Sequence, residues 1–167
     1  RLPPSVERLA VLGVAARGPV TRLRVAGPDP ETTWEAVLAG VRAAGVAFDA
    51  AGPEASGAVR LVVDEADAEL VRAGIDAALA DPGRTAIDGT HAWVSVVGHR
   101  LRDEGGVVGG RVLAGLLDVS GSAADLQVGE RTVRALVARD QAADVVRRWH
   151  ADLEPWLLVR ERASRAG

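Results

Sequence analysis

TRLRVAGPDPETTWEAVLAG at residues 21–40 and AWVSVVGHRLRDEGGVVGGRVLAG at residues 92–115 share one pattern. Each stretch begins with an apolar run, passes through a polar or glycine-rich turn, and ends in the tetrapeptide VLAG. The apolar run is typical of a strand, and the segment that carries VLAG is typical of a helix. The two copies of VLAG lie about 75 residues apart, a period longer than that of solenoid repeats. The repeat therefore predicts two copies of one small domain.

The remainder of each half follows the same order of elements. A short segment and a second strand-like run come first, then an amphipathic helix, then a closing strand. The short segments are 46–50 and 123–128, the second strands 58–63 and 132–138, and the closing strands 84–88 and 156–160.

The order βαββαβ, found twice, predicts the fold class. Such a unit folds as a four-stranded antiparallel sheet with both helices on one face. We therefore expect an α+β protein of two ferredoxin-like units. Residues 6–13 form a further strand-like run, and Asp81-Pro82-Gly83 breaks the chain before the closing strand of the first unit. The predicted division is a leading strand and linker at 1–19, a first domain at 20–89 and a second at 90–167.

Composition excludes several classes of protein. The chain of 167 residues contains no cysteine, which excludes disulfides and thiolate chemistry. Its net charge is −3, which gives no electrostatic reason for a polyanion partner. No apolar run reaches the roughly 18 residues that a membrane span needs. Tyrosine is absent and Phe48 is the only phenylalanine, so a base-stacking sheet for RNA is missing. We expect a soluble cytoplasmic protein that binds neither nucleic acid nor membrane.

The motifs of catalysis and cofactor binding are also missing. GGVVGG at residues 105–110 has Arg111 and Val112 where a phosphate-binding loop needs lysine and serine or threonine. The three histidines, His91, His99 and His150, lack the spacing of a metal site. We therefore predict no catalytic residue, no metal and no cofactor.

Three stretches resemble a known family, the aspartate kinases. Residues 11–27 and 93–113 resemble the starts of the first and second ACT domains in the regulatory region of these enzymes, and residues 62–73 (VVDEADAELVRA) resemble its strand-to-helix passage. The resemblance implies tandem ACT domains that bind an amino-acid end product, lysine or threonine, and regulate a kinase catalytic domain or another enzyme. The chain departs from the family at Glu31 and Thr32 and at residues 105–106, where the family has Pro-Gly in its ligand loops.

A candidate effector site lies in the loop after the first strand. Free backbone N–H groups at a helix start favour a ligand carboxylate, and Asp29 supplies a negative charge for an ammonium group. Alternatively, Asp29, Thr32 and Thr33 only cap the helix. In the second half, Asp103 lies in the equivalent loop and Gln127 follows the second strand. The candidate effector-binding residues are Gly27, Asp29, Thr32, Thr33, Asp103 and Gln127.

Two functions remain open at this level. The first is a non-catalytic allosteric module that binds lysine or threonine at an interface between ACT units. The second is a structural dimerisation module whose ligand sites have decayed, which the altered loops favour. A homodimer is expected in either case, because each sheet leaves edge strands that need a partner.

Overall fold

The computed structural model describes residues 10–81, 83–102, 106–121 and 125–157. The chain forms two compact units. The first unit is Gly18–Ala92, and the second combines Arg1–Arg17 with Trp93–Gly167.

The first unit contains two helices and four strands. In chain order these are the second part of β1 (Ala10–Val25), α1 (Pro30–Ala44), β2 (Ala50–Pro53), β3 (Val59–Asp64), α2 (Ala68–Leu79) and the first part of β4 (Thr85–His99). The sheet order is β2-β3-β1-β4, and β3 is antiparallel to both β1 and β2. This is the arrangement expected of a ferredoxin-like unit.

Alternating residues of the strands build the core of the first unit. Leu23 on β1 lies opposite Leu61 on β3, and both side chains are fully buried. Val37 of α1 and Ile75 of α2 belong to the same apolar cluster. The inward-facing residues of the strands, which alternate along the chain, therefore pack against the apolar face of each helix.

The second unit repeats this design, except that one of its four strands, the first part of β1, comes from the N-terminal end of the chain. Its sheet runs β1-β4-β6-β5, in which β1 contributes its first part and β4 its second part. The other elements are α3 (Val107–Ser120), β5 (Leu126–Val128), β6 (Thr132–Ala138) and α4 (Ala142–Leu153). The indole Nε1 of fully buried Trp149 on α4 donates to the carbonyl of Val112 on α3 at 3.0 Å.

The VLAG repeat has a structural reason in both units. Val37 and Val112 are both buried at the start of the tetrapeptide. Gly40 ends the first copy where α1 crosses α2, against Ile75, and Gly115 ends the second where α3 crosses α4, against Trp149. The tetrapeptide therefore supplies one apolar core residue and one point of close helix approach.

The α+β fold predicted from the sequence is confirmed, with differences in the strands. Residues 10–25 form one continuous strand, without the linker expected after the strand-like run at residues 6–13. The strands expected at 84–88 and 92–98 also join into β4, which passes Gly89 at a φ of +67°, a backbone conformation that glycine adopts at little cost.

Two further expectations concern the closing strand of the second half and the domain division. Trp156 lies in the short turn Glu154–Trp156, Leu157 pairs with Val11 in an isolated parallel bridge, and residues 158–160 lie outside the described ranges. The division at 1–19, 20–89 and 90–167 stays a prediction, whereas the compact units group the first part of β1 with the second unit. Side chains alone do not reveal which sheet a strand joins.

Helices of the described part of the chain are too short or too polar to cross a membrane. Within the same ranges, no three histidine or acidic side chains come together in a way that could hold a metal ion.

Candidate functional site

Asp29 is the N-cap of α1. One carboxylate oxygen accepts the backbone N–H of Thr32 at 2.9 Å, and the other accepts the Thr32 hydroxyl at 2.8 Å. Pro30 and Glu31 open the helix, as favoured at a first turn. The capping role considered for Asp29 and Thr32 is thus present in the structure.

Thr33 and Gly27 form the inner wall of the same loop. The Thr33 side chain is fully buried, and its hydroxyl donates to the carbonyl of Asp29 at 2.5 Å. A Cβ atom on Gly27 would collide with that hydroxyl. Gly27 is therefore needed for close approach to Thr33, which brings the ends of the loop together.

The electrostatics of the loop centre on the exposed carboxylate of Asp29. Its hydrogen bonds, first from the backbone N–H of Thr32 and then from the Thr32 hydroxyl, lower the pKa of Asp29 below its usual 3.8. The group is negatively charged at neutral pH. A carboxylate has about four acceptor positions, of which Thr32 uses two, so Asp29 can also accept from a cation.

The second unit places Gln127 in a different setting. Gln127 is exposed on β5, opposite Arg134 on β6, and its side-chain carbonyl accepts from Nε of Arg134 at 2.8 Å. The Arg134 guanidinium lies 4.5 Å from the ring centroid of Trp93 on β4. Asp103 lies outside the described residues, so its position carries no structural argument here.

The structure thus brings Gly27, Asp29, Thr32 and Thr33 together in one loop of the first unit. Sequence reasoning identified Gln127 but missed Arg134, which donates to Gln127, and Trp93, whose ring contacts Arg134. Alternation along β4 and β6 could have placed these two residues on one face, but the pairing of the two strands is not visible in the sequence.

Comparison by sequence finds no relative. No model of a protein family matches the chain, and no curated protein matches it either.

Comparison by structure finds regulatory regions of aspartate kinases. The regulatory subunit of aspartate kinase from Thermus thermophilus matches with a TM-score of 0.74 and 18% identity, over 86% of this chain and 99% of that chain. A C-terminal regulatory domain of aspartate kinase from Porphyromonas gingivalis, described as putative, matches with a TM-score of 0.64 and 18% identity, over 84% and 96%.

A full-length enzyme matches as well. E. coli aspartokinase III in complex with lysine and aspartate has a TM-score of 0.64 and 19% identity, with 88% of this chain covering 34% of that chain. At such identities the likeness concerns the fold. The chain therefore has the tandem ACT fold found in regulatory subunits and C-terminal regulatory domains of aspartate kinases.

Proposed function

We propose that this chain is a non-catalytic allosteric module that binds an amino-acid effector, lysine or threonine, at an interface between ACT units. The observation that carries the proposal is the match to nearly the whole of a regulatory subunit of aspartate kinase. One of the neighbours has lysine in its complex, which makes lysine the first ligand to test.

The loop of the first unit is the proposed ammonium site. Asp29 is exposed and ionised, two hydrogen bonds from Thr32 hold its carboxylate, and the Thr33 hydroxyl donates to its backbone carbonyl. The held carboxylate loses little freedom when it binds a cation, which favours recognition. Asp103 and Gln127, which belong to the second unit, are proposed to contact the effector as well.

A substitution that removes the charge of Asp29 but keeps its capping hydrogen bond distinguishes ligand binding from helix capping. Asparagine is as good an N-cap as aspartate, so Asp29→Asn keeps the acceptor for the Thr32 N–H and removes the negative charge. We expect titration calorimetry to show about a tenfold loss of affinity for the amino acid, as for loss of one charge-assisted hydrogen bond. The matched control is Asp67→Ala, because Asp67 precedes α2 without a side-chain capping bond. Equal affinity of Asp29→Asn and the parent would exclude Asp29.

Thermal shift against the twenty amino acids tests the function as a whole. A ligand that binds only the folded state at about one hundred times its dissociation constant adds about 2.7 kcal/mol to stability. We expect lysine or threonine to raise the melting temperature and alanine to leave it unchanged. No shift with any amino acid refutes effector binding and leaves the structural module.

The structural alternative rests on the sheet edges. β2 is the outer strand of the first unit and β5 that of the second, and both are short. Open edges favour pairing with another copy of the chain, so we propose a homodimer under either function. Sedimentation at micromolar concentration tests it, and a monomer with and without amino acids contradicts it.

The regulated partner is proposed to be a kinase catalytic domain or another enzyme of amino-acid biosynthesis, in the cytoplasm. Two of the structural neighbours are a regulatory subunit and a C-terminal regulatory domain, which supports a separate regulatory role. Aspartyl phosphate formed by the purified chain from ATP and aspartate would contradict the non-catalytic assignment.

A further inference from the structure

Helix α3 carries an apolar face that is open to solvent. Val107 is 39% exposed, Leu113 37% and Leu117 45%. Gly110 and Ala114 are also exposed, so small or apolar residues recur at every third or fourth position from 107 to 117. The opposite side of the same helix is buried in the second unit. A surface helix that is apolar on both sides is typical of contact with a further molecule.

The equivalent helix of the first unit lacks such a face. Alignment on the VLAG repeat places Glu35 and Arg42 of α1 at the positions of Gly110 and Leu117 in α3. All four residues are exposed. The charged side chains suit a helix face that stays in water. The apolar residues of α3 at the same positions therefore indicate that its outer face is covered.

Two opposite charges lie on one flank of this face. Arg111 and Asp118 are both exposed, and the seven residues between them span about two turns, or about 10 Å, along α3. When two identical helices pack antiparallel about a two-fold axis, the same flank of each meets its copy in reverse order. Arg111 of each copy then lies beside Asp118 of the other. In α1 the matching positions are Ala36 and Ala43, which supply no complementary charge.

The contacts of these two charges within the chain are compatible with such an ion pair. The guanidinium of Arg111 lies 5.0 Å from the ring centroid of Trp156, and contact with a ring does not use up its five N–H donors. Asp118 pairs through Oδ2 with Arg148 at 2.8 Å. A carboxylate has about four acceptor positions, so Asp118 can accept from a second arginine.

The apolar face continues onto the outer strand of the second unit. Val128 on β5 is 47% exposed, and its Cγ1 would lie 4.0 Å from a Cβ atom on Gly109 of α3. A stable interface usually takes about 800 Å² from each partner, more than one side of a 14-residue helix provides. The contact between copies therefore extends from α3 to β5.

We propose that α3 packs antiparallel against α3 of a second copy of this chain. The exposed leucines and Val107 are buried in this contact, and two ion pairs between Arg111 and Asp118 flank it. This inference rests on the proposed homodimer and names the helix that holds it together. It does not depend on amino-acid binding.

Sedimentation equilibrium of the full chain measures the contact, and the VLAG repeat supplies a matched pair of variants. Leu113 of α3 and Leu38 of α1 hold the same position in the repeat, and both are exposed. Leu113→Glu brings two charges into the contact, so we expect the dimer dissociation constant to rise about a hundredfold. Leu38→Glu should leave that constant within about threefold of the parent. Circular dichroism and thermal unfolding establish that both variants are folded.

Charge reversal tests the antiparallel arrangement. Arg111→Glu and Asp118→Arg each turn two attractive pairs into repulsive ones, so each should raise the dissociation constant about tenfold. The double variant restores opposite charges across the contact, and its constant should return to within about threefold of the parent. Because the double variant loses the contacts of these residues with Trp156 and Arg148, its recovery reports the pairing between copies.

Three results overturn the inference. If Leu113→Glu dimerises as tightly as the parent, or if Leu38→Glu weakens the dimer more than Leu113→Glu does, the contact lies elsewhere and the proposed homodimer stands. A double variant as weak as the two single reversals excludes the antiparallel pairing. A parent chain that is monomeric removes both the helix contact and the proposed homodimer, whereas effector binding keeps its own test.

Discussion

Gly40→Ala tests the packing that explains the VLAG repeat. A Cβ atom added at Gly40 would lie 2.7 Å from the backbone nitrogen and 3.0 Å from Cα of Ile75 on α2. Both distances are well inside the roughly 3.5–4.0 Å of ordinary contact. Gly74 approaches from the same side, since a Cβ there would lie 3.0 Å from Cα of Gly40. The two helices therefore cross backbone to backbone, and neither can yield by a rotamer change.

The expected cost follows from two opposing effects. Overpacking of a well-packed core costs about 1–3 kcal/mol, and separation of two helices by about 0.5–1 Å forfeits a quarter to a half of each dispersion contact across them. Alanine is better than glycine in a helix by about 0.8–1 kcal/mol, which offsets part of that cost. We expect Gly40→Ala to lower the free energy of unfolding by about 1–2 kcal/mol.

The chain offers two matched controls for this prediction. Gly110 is a helical glycine of α3 with no atom within 4 Å of an added Cβ, so Gly110→Ala should raise stability by about 0.5–1 kcal/mol. At Gly115 an added Cβ meets only side-chain atoms, of Asp152, Arg148 and Trp149, so Gly115→Ala should fall between the other two.

Urea unfolding followed by circular dichroism measures all three variants. The melting temperature should change by about 2–4 °C for each kcal/mol. If Gly40→Ala were as stable as Gly110→Ala, the reasoning would be refuted, because helix propensity alone would then determine the stability change at both positions.

Three further predictions concern stability and pH. Asp76→Ala should lower the free energy of unfolding by about 1–3 kcal/mol, because the buried carboxylate accepts the buried N–H of Thr85 at 3.0 Å. The control Asp81→Ala removes only an exposed ion pair with Arg84 and should cost under about 1 kcal/mol. Equal urea midpoints of the two variants would contradict the prediction. Trp149→Phe should lose about 1–2 kcal/mol by removal of the indole donor to Val112, as measured by thermal unfolding, and no change would contradict that role. Because folding lowers the pKa of Asp29, its stabilisation of α1 is fully present above 3.8 and is lost as pH falls through the lower folded value. Asp29→Asn should lack this part of the acid transition, and superimposable pH profiles of the variant and the parent would contradict it.

The candidate site shows where sequence reasoning is strong and where it stops. Asp29, Thr32 and Thr33 lie within five residues of one another, and capping depends on such local spacing. Both oxygens of Asp29 do bind Thr32, as a helix start requires. Whether that carboxylate also holds an ammonium group depends on a ligand and a partner surface, which are not local properties.

The sequence by itself determined the order of strands and helices, because periodicity and turn residues act over a few neighbours. It also determined that two similar units follow one another, through the VLAG repeat and the strands before it. Tertiary structure decided that β1 and β4 each serve both units, because a strand's alternation is the same whichever sheet it joins. It alone placed Arg134 over Trp93 and left the indole N–H of Trp93 without an acceptor, since those contacts link residues about forty positions apart through the pairing of strands.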